Sequence, residues 1–110
     1  MGERKRKPAP LRGEVWLVDL GMIAKVRPCL VLSMPVGPED RVLVTLVAHT
    51  TSTRGSRLEV PVPVRFLRTG AFAARNLVTV PQAILIRKLG TLSSDQFALV
   101  EEAVRRWLGL

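Results

Sequence analysis

The chain has 110 residues, 47% of them hydrophobic, and a formal net charge of +8. That length supports one core and leaves no room for two. A single cysteine, Cys29, excludes an internal disulfide, no Cys/His cluster offers a metal site, and no apolar run approaches the ~18 residues of a membrane span, so a single cytoplasmic domain without a metal or cofactor is expected.

Residues 1–10 include ERKRKPAP and read as a basic flexible arm, with no apolar residues to bury. The domain proper is expected over 11–110. GEVWLVDL (13–20) alternates and is β-branched, which predicts a first strand. GMIAKVR (21–27) is a connector. PCLVLSM (28–34) predicts a second strand, with Pro28 tolerated at its first position. PVGPED (35–40) is a turn, RVLVTLVAH (41–49) a third strand and TTSTRGS (50–56) a polar loop. RLEVPVPV (57–64) predicts a fourth strand, and its two prolines argue for an edge position. RFLRTGAFAAR (65–75) has no clear period and reads as a loop. NLVTVP (76–81) is a fifth strand and QAILI (82–86) a single helical turn. Ser93 and Gln96 have the spacing of a capping box. Beyond them Phe97, Val100, Ala103, Val104 and Trp107 recur at helical spacing and are expected to face the core. The result is a mainly β protein with a C-terminal helix, its short strands forming a strongly bent sheet or barrel. Both tryptophans, Trp16 and Trp107, read as core residues rather than stacking platforms.

Charge is distributed unevenly. Between Arg41 and Ser94 stand Arg41, Arg54, Arg57, Arg65, Arg68, Arg75, Arg87 and Lys88 against one acid, Glu59. A local imbalance of this kind points to polyanionic partners: RNA, DNA or an acidic protein segment.

Four stretches in order, RGEVWLVDL, RPCLVLS, HTTSTRGSRLEVPV and RKLGTLSSDQFALVEEAVRRWLGL, resemble the MazF/PemK toxins over roughly residues 11–110. The most specific parts are the opening Arg-Gly-Glu-Val-Trp and the Arg-Pro that precedes an apolar strand. The resemblance implies a small SH3-like or CcdB-like barrel of about five to seven strands. It implies a sequence-specific, metal-independent endoribonuclease that cuts single-stranded RNA through 2′-OH attack, leaving 2′,3′-cyclic phosphate and 5′-OH ends. It further implies a homodimer, neutralised by an acidic, MazE-like antitoxin that would also supply any contact with DNA. The family's catalytic pair falls on Arg27 and Thr50, with Thr51 in the adjacent slot as the alternative threonine. Two departures stand out. The loop that borders the RNA groove in relatives is the short GMIAKVRP here, with Lys25 adding a positive charge. Val78 stands where many relatives carry arginine.

The residues suit that chemistry. Arg27 offers a planar fork of donors that keeps its charge at neutral pH and matches two phosphate oxygens. The Thr50 hydroxyl can donate to phosphate or position the 2′-OH. His49 is the one side chain whose ordinary pKa lies near neutrality. Neighbours on a strand point to opposite faces, so His49 joins the site only if the chain turns before Thr50. Arg54, Arg57, Arg65, Arg68 and Arg75 are candidates for RNA-backbone contact, and Asn76 and Gln82 for base edges. Two other readings remain: a non-catalytic CcdB-like toxin, and a plain basic nucleic-acid-binding barrel.

Overall fold

A computed structural model describes residues 9–35 and 42–110. Residues 1–8 of the basic arm and 36–40 of the turn expected at 35–40 lie outside them. Six strands run as β1 (Glu14–Asp19), β2 (Val26–Val31), β3 (Leu43–Thr50), β4 (Glu59–Val60), β5 (Ala71–Pro81) and β6 (Leu85–Thr91). A short helix α1 (Gly21–Ala24) links β1 to β2, a 3₁₀ turn spans Gln82–Ile84, and α2 (Ser94–Leu108) ends the chain. The strands form one antiparallel sheet in the order β4-β5-β3-β2-β1-β6.

Alternation explains how a single sheet holds two cores. Val15, Leu30, Val47, Phe72 and Ala74 point to one face, where Val100, Ala103 and Val104 of α2 meet them. Trp16, Val18, Cys29, Val31, Leu46 and Ala48 point to the other, where the sheet curls on itself and Leu85 closes the cluster. Pairing irregularities at Val15/Trp16, Leu17/Val18 and Val47/His49 add local twist, which helps so few strands to curl.

Two polar devices tie the elements together. Arg12 donates to the Leu32 carbonyl and to Glu101, and its guanidinium lies 4.5 Å from the Phe97 ring centroid. This pins α2 to the edges of β1 and β2. Glu14, 8% exposed, accepts from Leu11 N (2.7 Å), Trp16 Nε1 (3.1 Å) and Lys88 Nζ (2.9 Å). Burial alone would raise its pKa, but those donors and the Lys88 charge hold the carboxyl below its ordinary value. Glu14 therefore stabilises the fold above the unfolded-state pKa, and that contribution is lost as pH falls through the depressed folded value.

The C-terminal helix begins as the sequence indicates. Ser93 Oγ accepts from Gln96 N (3.1 Å), and Gln96 Oε1 accepts from Ser93 N (2.9 Å). Other expectations need correction. The stretch 65–75 is not wholly loop: β5 starts at Ala71, because Ala71, Phe72 and Ala74 are buried beside β3. The helical turn expected over 82–86 stops at Ile84, and a sixth strand follows that periodicity did not reveal. The fourth strand shrinks to Glu59–Val60. It lies at the sheet edge as its prolines require, since Pro61 and Pro63 cannot donate to a ladder. Trp107 is 47% exposed rather than core, because α2 has by then passed its last buried residue, Val104. Trp16 is core, as expected.

Candidate active site

The register of β2 and β3 locates the site. Val31 pairs with Leu46, Leu30 with Val47 and Cys29 with Ala48. The same register continued by two residues sets Arg27 opposite Thr50. Both then lie on the face that carries Cys29 and Ala48, at the strand ends where the pairing stops. Buried strands on both sides hold this end: Val18 of β1 pairs with Arg27, and Ala71 of β5 pairs with Thr50.

Two depressions meet there. The larger, of about 610 Å³, is lined by Lys25, Arg27, Pro28, His49, Thr50, Thr51, Ser52 and Arg68, with Leu17, Val26, Phe66, Leu67, Arg87 and Leu89 completing it. The second, of about 330 Å³, is lined by Arg27, Thr50, Ser52, Arg54, Ser56, Leu58, Glu59, Ala73, Arg75 and Asn76. Arg27, Thr50 and Ser52 belong to both.

Local bonds fix the two walls. Thr50 Oγ1 accepts from Ser52 N (3.0 Å), which orients the oxygen and leaves its proton to donate elsewhere. Behind Thr50 the backbone is tightly packed: a Cβ on Gly70 would lie 2.1 Å from the Thr50 carbonyl oxygen and 2.9 Å from His49 Cε1. Only glycine lets β5 begin so close to this strand end. The Glu59 carboxylate accepts from Arg54 N (2.8 and 3.1 Å) and Ser56 N (3.0 Å), which shapes the loop after β3. Those bonds, the one from Arg54 first among them, hold its pKa below the ordinary value. The acid of the basic third is thus occupied with backbone amides. Arg68, Arg75 and Arg87 form no ion pair among the described residues. On the opposite wall Lys25 has φ 59°, a conformation that costs a side-chain-bearing residue about 1–3 kcal/mol. Its N–H bonds to Gly21 O (2.6 Å) and its carbonyl accepts from Leu20 N (2.9 Å), closing α1 into a tight loop.

His49 is only 4% exposed, and its ring meets Phe72 edge-on at 5.0 Å. Burial lowers its pKa, so the ring is neutral at pH 7, and Nε2 has no hydrogen-bond partner among the described residues. The strand runs through Thr50 without turning, so His49 and Thr50 keep the opposed directions of strand neighbours. Cys29 is likewise buried, which pushes its thiol up to about 12 despite the nearby Arg27 charge. It is a core residue and not a nucleophile.

Of the residues singled out in the sequence, Lys25, Arg27, His49, Thr50, Thr51, Arg54, Arg68, Arg75 and Asn76 line one or both depressions. Arg57 and Arg65 line neither, and Gln82 lies in a separate hollow with Val42, Pro81 and Ala83. Sequence reasoning missed Arg87 and Phe66. Arg87 pairs with Leu17, which pairs with Pro28, so register carries it across two strands into the larger depression. Among the described residues no three of His, Cys, Asp and Glu gather to hold a metal ion, and no helix is long and apolar enough to cross a membrane.

Comparison with known proteins places the fold. A structure of an endoribonuclease in complex with its cognate antitoxin, from a mycobacterial species, superposes with TM-score 0.80 at 29% identity, over 93% of this chain and 97% of that one. The Mycobacterium tuberculosis toxin MazF-mt6 superposes with TM-score 0.75 at 30% identity, over 88% and 97%. MazF from Deinococcus radiodurans, at 20% identity, shares the fold with TM-score 0.80 over 94% and 100%. No curated protein sequence matches the chain significantly. Residues 11–108 match the family profile of PemK-like, MazF-like toxins. With that match spanning β1 to the end of α2, the chain belongs to the PemK-like, MazF-like toxins of type II toxin–antitoxin systems.

Proposed function

We propose that this protein is a metal-independent endoribonuclease that cuts single-stranded RNA between the two depressions and is neutralised by an acidic antitoxin segment. The observation that carries the reading is that Arg27 and Thr50 belong to both depressions, with cations on either side. A strand of RNA laid across them would set one phosphate over the pair and one nucleotide in each hollow. Arg27 then donates to the two non-bridging oxygens, and the Thr50 hydroxyl, its oxygen already held by Ser52 N, donates to the same phosphate. The substrate's 2′-oxygen forms the new bond to phosphorus and gives up its proton. The bond to the 5′-oxygen breaks, that oxygen gains a proton, and a 2′,3′-cyclic phosphate is left.

The reading is tested by incubating the purified protein with a long transcript in EDTA. Discrete fragments with cyclic phosphate and 5′-OH ends are expected. An intact transcript, with the protein folded, would favour the non-catalytic reading. The antitoxin is expected to approach by charge. Arg54, Arg68, Arg75 and Arg87 surround the site, so the association rate with an acidic antitoxin segment should fall as salt rises. A rate that is flat from low to high ionic strength would count against an electrostatic partner.

A further inference from the structure

One wall of the larger depression is not used by the reaction above. Phe66 is half-buried there. A Cβ on Gly90 would lie 2.3, 2.5 and 2.6 Å from its Cε1, Cδ1 and Cζ. An approach in the plane of the ring would leave the two outer atoms much farther away than the middle one. The near-equal distances set Gly90 under the face of the ring, a flat seat that any side chain would lift. Leu17 and Pro28, which line the same hollow, are apolar, Arg68 and Arg87 are cationic, and among the described residues no carboxylate or amide side chain lines it. The second hollow differs, offering Asn76, Ser56 and Glu59 to a base edge.

A hollow with one aromatic, apolar wall, the hydroxyls of Thr50, Thr51 and Ser52 also on its lining, and cationic neighbours fits a ligand that has a flat apolar face and anionic links on both sides. We propose that the larger depression takes the nucleobase adjoining the scissile phosphate, stacked on Phe66, while Arg87 and Arg68 meet the phosphates flanking it. This rests on the ribonuclease reading and adds a division of labour. The Phe66 slot selects by size and stacking, and the Asn76 hollow reads base edges.

The test is a binding cycle on an oligonucleotide that spans a mapped cleavage site, made uncleavable by a single 2′-deoxy sugar. An abasic site is moved one nucleotide at a time across the site, with wild-type protein and with Phe66→Leu. At one position next to the scissile phosphate, removing the base should weaken wild-type binding by roughly 5- to 150-fold. Phe66→Leu should weaken binding of the intact oligonucleotide, and removing the same base should then cost it little more. Losses that add at every position overturn the proposal. A second measurement needs no variant: 2-aminopurine at that position should lose fluorescence when wild-type protein binds, and unchanged or brighter emission at every flanking position also overturns it. Cleavage of the all-RNA version by the same preparation separates the two readings. If the RNA is cut and the losses still add, only the stacking inference fails.

Discussion

Arg27→Ala is expected to slow RNA cleavage by at least ~10²–10³-fold, the usual loss when one donor to a transition-state oxyanion is removed. That corresponds to about 2.7–4 kcal/mol of transition-state stabilisation. The guanidinium is proposed to bind the two oxygens that gain charge as phosphorus becomes five-coordinate, so the loss should appear in kcat more than in KM. Arg27→Lys should recover only part of the rate, since an ammonium keeps the charge but not the planar fork. The fold should survive, because Arg27 lies at the end of β2, beyond Cys29, Leu30 and Val31, which fill the cores. The measurement is single-turnover cleavage alongside circular dichroism and urea unfolding. A folded Arg27→Ala protein that cuts at near wild-type rate would remove Arg27 from the reaction.

A substrate with one 2′-deoxy sugar on the 5′ side of the scissile phosphate is expected to bind normally and remain uncut. Its phosphates and bases are intact, and these supply most of the affinity for a basic surface. The attacking oxygen alone is missing. The protein side agrees with a nucleophile that belongs to the substrate. His49 is buried and held neutral, and Cys29 is buried with its thiol pushed up to about 12. The modified oligonucleotide should therefore compete with RNA at close to the affinity of the unmodified strand. Cleavage at the deoxy position would show that water attacks, and the cyclic-phosphate route would fall.

How much of this was legible in the sequence depends on how far apart the partners lie. The strands around Val15, Leu30 and Val47 declare themselves through β-branched residues at period two, and α2 through Ser93 and Gln96, whose bonds span three residues. Arg27 and Thr50 were singled out through the family resemblance of the Arg-Pro element and of the Thr after the next strand, and both line the two depressions. The first half of β5 was not. Gly70 is small because the Thr50 carbonyl and His49 pack against it, Ala71 pairs with Thr50, and Ala74 is buried in the core, and small residues look like loop when the neighbour is unseen. β6 was hidden for a similar reason: Lys88 turns to Glu14 and Arg87 to the cleft, so the strand shows charges where a buried one would show Val or Ile. Phe66 and Arg87 needed pairings across tens of residues, which no local window contains.

The Arg27–Thr50 register has a consequence for how such a chain changes over time. The proposed cutting pair hangs from β2 and β3, whose side chains fill both cores, so these strands are constrained by packing as well as by chemistry. The groups that would read RNA belong elsewhere: Arg54 to the loop shaped by Glu59, Arg75 and Asn76 to exposed positions of β5, Arg87 to an exposed position of β6, and Lys25 to the short loop after α1. Substitutions there disturb little of the core. Mutation can thus explore new target sequences on one set of elements while selection holds the other still, and a lineage built on this plan can diversify in what it recognises without reinventing how it cuts.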